Sequence, residues 1–325
     1  MSIITPNILV TGGEGYIGSH LINRLLSAKK GAVVSIDNKK TGKLPKKGIF
    51  VRGNIADKKL LLQILKKYKI NLVIHLAGLI NIEESMEKPD KYFDNNVRAG
   101  LKLLEAMKTA GVKKIIYSSS AAIYGLAKTK FIKEEAPKNP VNIYGLTKKI
   151  FEELLAYYHQ VHGFQYLIFR YFNVAGADWK AGLRENHNPE THLIPRTLQS
   201  LFSQQPIRIY GKDYNTPDGT CLRDYIHVLD VVRAQEKSLP LFLKGKVCDV
   251  FNLGSGKGYS VLEVVKECAK LTKKNLIIEN AQKRVGDPPF LVADCQKIKR
   301  FLGWQPEKNL RNIIKDTLKS QWPLL

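Results

Sequence analysis

The sequence predicts an α/β protein, with a doubly wound parallel sheet followed by a smaller C-terminal α/β lobe. Three observations support this prediction. A glycine-rich turn joins an apolar run to a helical pattern near the N-terminus. Apolar strands then alternate with helical segments, which is typical of a parallel sheet covered by helices on both faces. After Val174 this alternation loosens, and turn-rich stretches separate shorter elements.

The first strand, turn and helix predict a dinucleotide site. The turn after the first apolar run carries Gly12, Gly15 and Gly18, in the spacing G-x-x-G-x-x-G. Glycine lets the backbone approach a pyrophosphate, whose charge lies at the helix N-terminus. The next strand ends at Asp37, where an acid can accept both hydroxyls of an adenosine ribose. An acid there repels a 2′-phosphate, so the segment favours NAD over NADP.

The alternation continues along the chain. Strands are predicted at residues 48–52, 72–78, 114–117 and 166–170, and helices at 57–68, 92–110 and 142–162. Ligands of open parallel sheets bind at the carboxyl ends of the strands. The residues that come after those strand ends should therefore share one crevice: Gly12, Asp37, Gly78, Ser120 and Asn173.

Two domains are predicted, an NAD-binding Rossmann-type domain over residues 1–174 and a smaller lobe over residues 175–325, which the family resemblance given below implies to be a nucleotide-sugar-binding lobe. Turn residues are frequent in 175–195 and 211–220, and shorter elements return near 250–253, 261–271 and 310–318. The boundary is soft, because the elements near 228–254 are candidates for rejoining the first domain.

The chain is strongly basic, with a net charge of +23. Such a charge suits nucleic acid, an acidic membrane or anionic small molecules. The lysines occur as scattered pairs, such as Lys58-Lys59 and Lys66-Lys67, with no block of five like charges and no aromatic residues interleaved. We therefore expect a solvated basic surface and no nucleic-acid partner.

The remaining composition predicts a cytoplasmic protein without a membrane or metal partner. Residues 1–6 lack the features of a signal peptide, and no apolar run approaches the roughly 20 residues of a membrane span. The four cysteines are far apart, which favours free thiols. His187 and His192 lack a convincing third ligand, so no metal is expected.

The segment from Tyr144 to Lys148 carries a candidate catalytic pair. A tyrosine and a lysine four residues apart lie on one face of a helix. A free phenol has a pKa of about 10, and lowering it to about 7 takes roughly 4 kcal/mol of stabilisation of the phenolate. The pair alone is a weak signal in a lysine-rich chain. Together with Ser118-Ser119-Ser120 and the glycine-rich turn, it predicts a hydride-transfer site.

These residues resemble the extended short-chain dehydrogenase/reductase family and, more narrowly, its UDP-glucose 4-epimerase branch. The matching motifs run nearly from end to end of the chain: 11–18, 77–79, 94–97, 118–125, 144–148, 170–173, 192–195, 218–220, 223–228, 252–254 and 284–288.

The resemblance implies a reaction without net redox change. Tyr144, as phenolate, takes the proton of the sugar 4-hydroxyl while a hydride passes from sugar C4 to tightly held NAD. The 4-keto sugar then turns about its link to the pyrophosphate, and hydride and proton return to its other face, which interconverts UDP-galactose and UDP-glucose. Ser120 is implied to hydrogen-bond the reacting oxygen. Lys148 is implied to hold the nicotinamide ribose and, with the nicotinamide charge, to lower the pKa of Tyr144.

The resemblance also implies the binding residues. NAD contacts map to Gly12, Gly15, Tyr16, Ile17, Gly18, Asp37, Asn38, Asn54, Ile55, Ala77, Asn96, Ser120, Tyr144, Lys148 and Phe172. Contacts of the UDP-sugar map to Asn173, His192, Leu193, Tyr210, Arg223, Arg284, Asp287 and Leu291. The two arginines suit a pyrophosphate, because guanidinium forks grip its oxygens. The tyrosine suits the uracil, and the aspartate suits ribose hydroxyls. A homodimer through the helices near 92–110 and 142–162 is a further expectation.

Three positions depart from the family pattern. Asn54 stands where an aspartate is frequent, and Ile80 stands where some members carry a lysine. Leu291 occupies the position that a bulky tyrosine fills beside the sugar in some members. The smaller side chain leaves room for an N-acetyl group, so UDP-GlcNAc and UDP-GalNAc are hypothetical further substrates.

Competing interpretations depend on the two residues directly after the serines. Sugar-nucleotide 4,6-dehydratases need an acid–base pair there, and UDP-glucuronate decarboxylases usually place a glutamate. This chain has Ala121 and Ala122 instead. UDP-glucuronate 4-epimerase uses the same chemistry and stays as the enzymatic alternative. A non-catalytic NAD-binding or basic nucleic-acid-binding protein is the alternative of another class.

Overall fold

The computed structural model describes residues 6–28, 31–38, 48–127, 129–187, 189–245, 247–284 and 286–322. Residues 1–5 of the N-terminal segment, and Val285 within the 284–288 motif, lie outside the described residues. The strands are β1 Ile8–Thr11, β2 Val33–Asp37, β3 Ile49–Arg52, β4 Leu72–His75, β5 Lys114–Ser120, β6 Phe131–Ile132, β7 Gln165–Tyr171, β8 Asn173–Ala175, β9 Ile207–Tyr210, β10 Leu222–His227, β11 Cys248–Leu253, β12 Gly258–Ser260, β13 Ile278–Ala281 and β14 Phe290–Ala293.

The α-helices alternate with these strands. They are α1 Tyr16–Ser27, α2 Lys58–Lys67, α3 Ile82–Glu87, α4 Pro89–Tyr92, α5 Ala99–Ala110, α6 Ile143–His162, α7 Leu193–Ser203, α8 Val228–Ser238, α9 Leu241–Lys244, α10 Val261–Thr272, α11 Gln296–Leu302 and α12 Leu310–Gln321. A π-helical turn, Phe93–Arg98, joins α4 to α5, and a 3₁₀ turn, Ala121–Tyr124, comes after β5.

A seven-stranded sheet combines the first five strands of the chain with β7 and β11. Its strand order is β11-β7-β5-β4-β1-β2-β3, and β1 pairs in parallel with both β2 and β4. Both β1 and β4 are buried along their whole length, because each is a continuous apolar run with helices on both faces of the sheet. The predicted doubly wound α/β fold is confirmed. The chain order reverses beside β1, which is where such sheets bind their ligands.

Three predicted elements differ from the structure. The strand predicted at 72–78 ends at His75, and residues 76–78 follow it as a loop. The strand predicted at 114–117 continues to Ser120, so the three serines form the end of β5 rather than a loop after it. The helix predicted at 92–110 contains the π-helical turn before α5 begins at Ala99. Single π-turns inside helices are frequent at functional sites.

The chain divides into two compact units. The first comprises Met1–Ile123, Pro140–Arg170 and Val232–Phe251, and the second comprises Tyr124–Asn139, Tyr171–Val231 and Asn252–Leu325. This division is more interleaved than a single boundary after residue 174, since residues 124–139 group with the second unit and residues 232–251 with the first.

Each unit has a core of its own. In the first, α2, α5 and α6 supply apolar side chains that pack on the central sheet, among them Leu61, Leu103 and Phe151. In the second, α7, α10 and α12 pack together through residues such as Leu198, Val264 and Ile313. The second unit also contains the sheet β12-β10-β14-β6, with β8 paired to β10, and the two-stranded sheet β13-β9. Across the described ranges, every helix is too short or too polar to cross a membrane.

Candidate active site

The turn between β1 and α1 is built for close approach of a ligand backbone. Gly12 has a φ of +71°, and a Cβ added there would lie 2.7 Å from the backbone nitrogen of Ala77. A Cβ added at Gly18 would lie 2.2 Å from the carbonyl oxygen of Gly12. Helix α1 begins after Gly15 with neither a side-chain cap nor an acidic residue in its first turn. Its N-terminus is therefore suited to an anion such as the pyrophosphate of a dinucleotide.

The carboxylate predicted to bind ribose lies at the end of the neighbouring strand. Asp37 is the last residue of β2, and its Oδ2 accepts the backbone N–H of Glu14 at 3.0 Å. Glu14 is held by Arg52 at 3.2 Å. The same turn thus fixes the acid close to the helix N-terminus.

Some of the other predicted NAD contacts are accessible to a ligand, and others are buried in the core. Asn38 is exposed, and Tyr16 and Ile17 are half-buried at the start of α1. The side-chain oxygen of Asn54 accepts the N–H of Ala56 at 2.9 Å, so its amide nitrogen is the group left for adenine. Ile55 is 7% exposed and belongs to the core of the first unit.

Asn96 organises the loop after β4. Its Oδ1 accepts the N–H of Leu79 at 2.8 Å, and its amide nitrogen donates to the Leu79 carbonyl at 3.0 Å and to Thr147 Oγ1 at 3.1 Å. Asn96 lies in the π-helical turn, which aims its side chain at this loop. A Cβ added at Gly78 would lie 3.3 Å from Asn96 Oδ1 and 3.6 Å from Lys148 Nζ. The loop therefore passes close to the candidate catalytic lysine.

Local contacts bring the start of α6 to the end of β5. Asn142 caps the helix, because its Oδ1 accepts the N–H of Gly145 at 2.7 Å. The N–H of Tyr144 is bonded to Ser85 Oγ at 3.2 Å. A Cβ added at Gly145 would lie 2.6 Å from the carbonyl oxygen of Ala122, so only glycine permits this approach.

The structure brings Ser120, Tyr144 and Lys148 together. The hydroxyl of Ser120 is hydrogen-bonded to that of Tyr144. Lys148 Nζ lies 5.8 Å from the centre of the Tyr144 ring and donates to the carbonyl oxygen of Ser118 at 2.7 Å. The lysine is 4% exposed, so its charge acts in a site largely shielded from water.

Burial shifts the pKa values of Tyr144 and Lys148 in opposite directions. Burial raises the pKa of Tyr144, and the hydrogen bond from Ser120 opposes that rise. Burial lowers the pKa of Lys148 to about 8, against the attraction of Glu152. The expectation that Lys148, together with the nicotinamide charge, lowers the pKa of Tyr144 stays a prediction. Desolvation is the largest effect on the phenol, and the ammonium is bound to a backbone carbonyl.

A buried ion pair supports the catalytic helix and was missed by the sequence reasoning. Glu152 accepts two bonds from Arg170, at 2.9 and 2.7 Å, and a third from Ser119 Oγ at 2.6 Å. Both side chains of the pair are 3% exposed. One signal could have revealed it, because Glu152 comes four residues after Lys148 and so lies on the catalytic face of α6.

A second buried group missed from sequence is His75 at the end of β4. Its Nδ1 lies 2.7 Å from Thr11 Oγ1. Burial, aided by the charge of Lys148, lowers the pKa of His75 to about 3. The imidazole is therefore neutral at physiological pH and couples the ends of β1 and β4.

The candidate nucleotide ligands of the second unit form two pairs. Arg223 donates to Asp287 Oδ1 at 2.9 Å and to the carbonyl oxygens of Leu222 and Pro288. The guanidinium of Arg284 lies over the Tyr210 ring, 4.0 Å from its centre.

Sheet pairings place three more of the predicted residues. Leu291 is the register partner of Arg223 between β14 and β10. Asn173 pairs with Tyr225 between β8 and β10. Phe172 is buried, and its N–H is bonded to the Leu253 carbonyl at 3.2 Å.

The chain matches a known protein family over most of its length. A model of the "NAD dependent epimerase/dehydratase family" matches residues 8–254. The chain belongs to this family. It is 42% identical over 312 residues to a UDP-glucose 4-epimerase of Lactobacillus helveticus, covering 94% of each chain.

Solved structures of UDP-sugar 4-epimerases are also similar to this chain. A UDP-glucose 4-epimerase from Brucella ovis in complex with NAD superposes with a TM-score of 0.91 at 40% identity, covering 96% of this chain and 97% of that one. A UDP-Glc/GlcNAc 4-epimerase from Campylobacter jejuni superposes with a TM-score of 0.84 at 34% identity, covering 97% and 99%.

Membership of the epimerase/dehydratase family confirms the resemblance found in the sequence. It also confirms NAD as the cofactor, in agreement with the glycine turn, the uncapped start of α1 and Asp37 at the end of β2. The 3₁₀ turn after β5 begins with Ala121 and Ala122, the two positions on which the competing interpretations depend.

One further group of polar side chains lies in the second unit, before α7. Glu185, His187, Glu190 and His192, here called the Glu–His cluster, place their ligand atoms within 4.8 Å of one another. The expectation that the two histidines lack a further ligand is wrong, because the chain turns both glutamates toward them. His192 has its Nδ1 bonded to Glu185, and its contact with the UDP-sugar stays a prediction.

The charges of this cluster are strongly coupled. Burial raises the pKa of Glu185, but the two imidazoles outweigh it and lower that pKa to about 2. The neighbouring carboxylates of Glu185 and Glu190 raise the pKa of His187 to about 10.

Proposed function

We infer that this chain is an NAD-dependent isomerase, a UDP-sugar 4-epimerase that interconverts UDP-galactose and UDP-glucose. The observation that carries this inference is the convergence of Ser120, Tyr144 and Lys148 beside the glycine turn of an NAD-binding sheet. The UDP-glucose 4-epimerases to which the chain is similar along nearly its whole length give it further support.

Tyr144, Ser120 and Lys148 have different proposed roles in proton transfer. NAD, when bound, supplies the acceptor and donor of the hydride. Tyr144 exchanges a proton with the sugar 4-hydroxyl, and Ser120, bonded to the same phenol, hydrogen-bonds the reacting oxygen. Lys148 contributes a fixed positive charge that stabilises oxyanions in a largely dry site. The carbonyl of Ser118 keeps this ammonium in place.

We propose that the second unit binds the nucleotide. Arg284 is exposed, and its stacking on Tyr210 leaves guanidinium edges that suit phosphate oxygens. Arg223 is 9% exposed and already bonded to Asp287, so it is proposed to orient that carboxylate for a ribose as well as to attract phosphate.

Leu291 supports a wider sugar range. Because it is the register partner of Arg223, its side chain lies beside a proposed phosphate ligand. We propose that the chain also accepts UDP-GlcNAc and UDP-GalNAc. We expect the wild-type protein to epimerise UDP-GlcNAc. The variant Leu291→Tyr should lose this activity and keep its turnover of UDP-galactose. Wild-type protein that turns over UDP-galactose but not UDP-GlcNAc would contradict the proposal.

A homodimer and a cytoplasmic location complete the proposal. Tyr157 and Val161, on one face of α6, are 64% and 70% exposed although both are largely apolar. Light scattering is expected to give twice the mass of one chain, and Val161→Glu is expected to shift the mass toward the monomer. An unchanged monomeric mass in the wild type would contradict the dimer.

The test of the main inference is conversion of UDP-galactose to UDP-glucose by purified protein with no NAD added. Turnover is expected, and Tyr144→Phe should reduce kcat by about 10²–10⁴-fold, the usual contribution of acid–base catalysis. The matched control is Tyr68→Phe at the end of α2, which also removes one phenol hydroxyl. Conversion of UDP-glucuronate alone would establish the alternative epimerase. No conversion of any UDP-sugar, even with NAD supplied, would overturn the proposal.

A further inference from the structure

The Glu–His cluster has the composition and spacing of a metal site. Its sequence pattern, Glu-x-His-x-x-Glu-x-His, lies in the segment that leads into α7, with His192 as the residue before the helix. His187 Nδ1 lies 3.2 Å from Glu185 Oε1 and 3.7 Å from Glu190 Oε1. Ligand atoms about 2.0–2.2 Å from a tetrahedral ion are roughly 3.3–3.6 Å apart, so the two separations of His187 require little adjustment. His192 Nδ1 and Glu185 are in direct contact and have to move apart to admit an ion.

Within the described part of the chain, no hydrogen bond accounts for the position of the His187 imidazole. His187 Nδ1 is buried and has no hydrogen-bond partner there, although Glu185 Oε1 is close enough in distance. The nitrogen and the oxygen are therefore near one another without the alignment of a donor and an acceptor. Two ligand atoms of the same metal ion have this geometry, because each of them points at the ion and not at the other atom.

The carboxylate of Glu190 is held in position by the backbone. Its Oε1 accepts the N–H of Thr191 at 2.8 Å and that of His192 at 2.9 Å. Hydrogen bonds of this kind orient the ligands of metal sites. Glu185 is 5% exposed, so its charge needs compensation inside the fold.

We propose that the Glu–His cluster binds one divalent ion of the zinc class. Two imidazole nitrogens and two carboxylate oxygens suit Zn²⁺, whereas Mg²⁺ and Ca²⁺ prefer oxygen ligands alone. Two neutral imidazoles, two carboxylates and a divalent cation form a site without net charge. Four protein ligands close the coordination sphere, which is typical of a structural site. The ion connects the segment 185–190 to the start of α7 and takes no part in the proposed epimerase chemistry.

The experiment uses full-length protein without a histidine tag, freed of metal by a chelator and then titrated with Co²⁺ and with Zn²⁺. Expected is one equivalent bound per chain, with the visible absorption of tetrahedral Co²⁺ and without the near-ultraviolet band of a cobalt–thiolate bond. His187→Asn should weaken binding by more than the roughly 10–100-fold that loss of an outer-shell partner costs. His162→Asn on α6 is the matched control and should bind like the wild type.

Three results would overturn the proposal: less than a tenth of an equivalent bound by the wild type, a thiolate band, or unchanged affinity in His187→Asn. The wild-type titration decides the matter even if the variant fails to fold. Epimerase activity is not part of the readout, so failure of the metal proposal and failure of the proposed function are distinguishable.

Discussion

The buried ion pair of the first unit and the proposed nucleotide ligands of the second unit differ in how their charges are balanced. In the first unit, Glu152 and Arg170 are both 3% exposed and are bonded to each other through two donors. In the second unit, Arg223 and Asp287 are 10% and 33% exposed, and Arg284 lies at the surface over an aromatic ring. The buried pair stabilises the fold. The more exposed charges of the second unit can give up a protein partner and bind a ligand.

The largest expected difference concerns removal of one member of an ion pair. Arg170→Met leaves Glu152 buried without its main partner, and breaking a buried pair in this way costs about 3–5 kcal/mol. Arg98→Met breaks a pair whose side chains are 76% and 57% exposed, so the expected cost is within about 1 kcal/mol. Urea denaturation of both variants measures the difference. Equal losses of unfolding free energy in the two variants would contradict the view that a buried ion pair stabilises the fold more than an exposed one.

A second prediction concerns acid stability of the first unit. The pKa of His75 is lowered to about 3 in the folded state, below its usual 6.5. The unfolded chain therefore binds a proton that the folded chain does not, and this contribution to stability is present above pH 6.5 and is lost as the pH falls toward 3. The expected loss is about 1.4 kcal/mol per pH unit below 6.5.

The variant His75→Asn isolates this contribution. An amide can keep the bond to Thr11 Oγ1 but does not titrate. Urea denaturation at several pH values should show that the stability difference between wild type and variant shrinks as the pH falls from 6.5 to 4.5. A difference that stays constant with pH would contradict the assignment of a neutral, buried imidazole.

The sequence was sufficient for the features that depend on local pattern. The glycine turn and the acid at the end of β2 can be predicted from spacing, because parallel strands bring their carboxyl ends to one edge. The placement of Tyr144 and Lys148 on one face of α6 follows from their separation by four residues. The Glu152–Arg170 pair depends on a contact between α6 and β7: local spacing places Glu152 on the same face of α6 as Lys148, but it does not identify Arg170 as the partner. The Glu–His cluster depends on the course of an irregular segment, where side-chain periodicity carries no information.

A third prediction tests the second unit through ligand binding. Arg284→Ala removes charge-assisted bonds to phosphate, each about 1.5–3 kcal/mol, so the KM for UDP-galactose should rise by about 10- to 100-fold. Because the side chain is exposed, unfolding free energy should change much less than in Arg170→Met. Steady-state kinetics and urea denaturation together check this. A large loss of stability with unchanged KM would make Arg284 a structural residue.

The smallest expected effect compares the caps of two helices. Asn142 and Asn309 each accept a backbone N–H in the first turn of their helix, at 2.7 and 3.0 Å. Replacement of either by alanine should cost about 1 kcal/mol of unfolding free energy, the usual value for a lost cap.

Their effects on turnover should differ. Helix α6 begins one residue before Tyr144, so a looser first turn displaces the phenol from Ser120, whereas α12 carries none of the proposed catalytic residues. Asn142→Ala should therefore lower kcat at a temperature where the protein is still folded, and Asn309→Ala should leave it unchanged. Equal kcat values in the two variants would mean that the contacts of Ser85 and Gly145 hold Tyr144 without the cap.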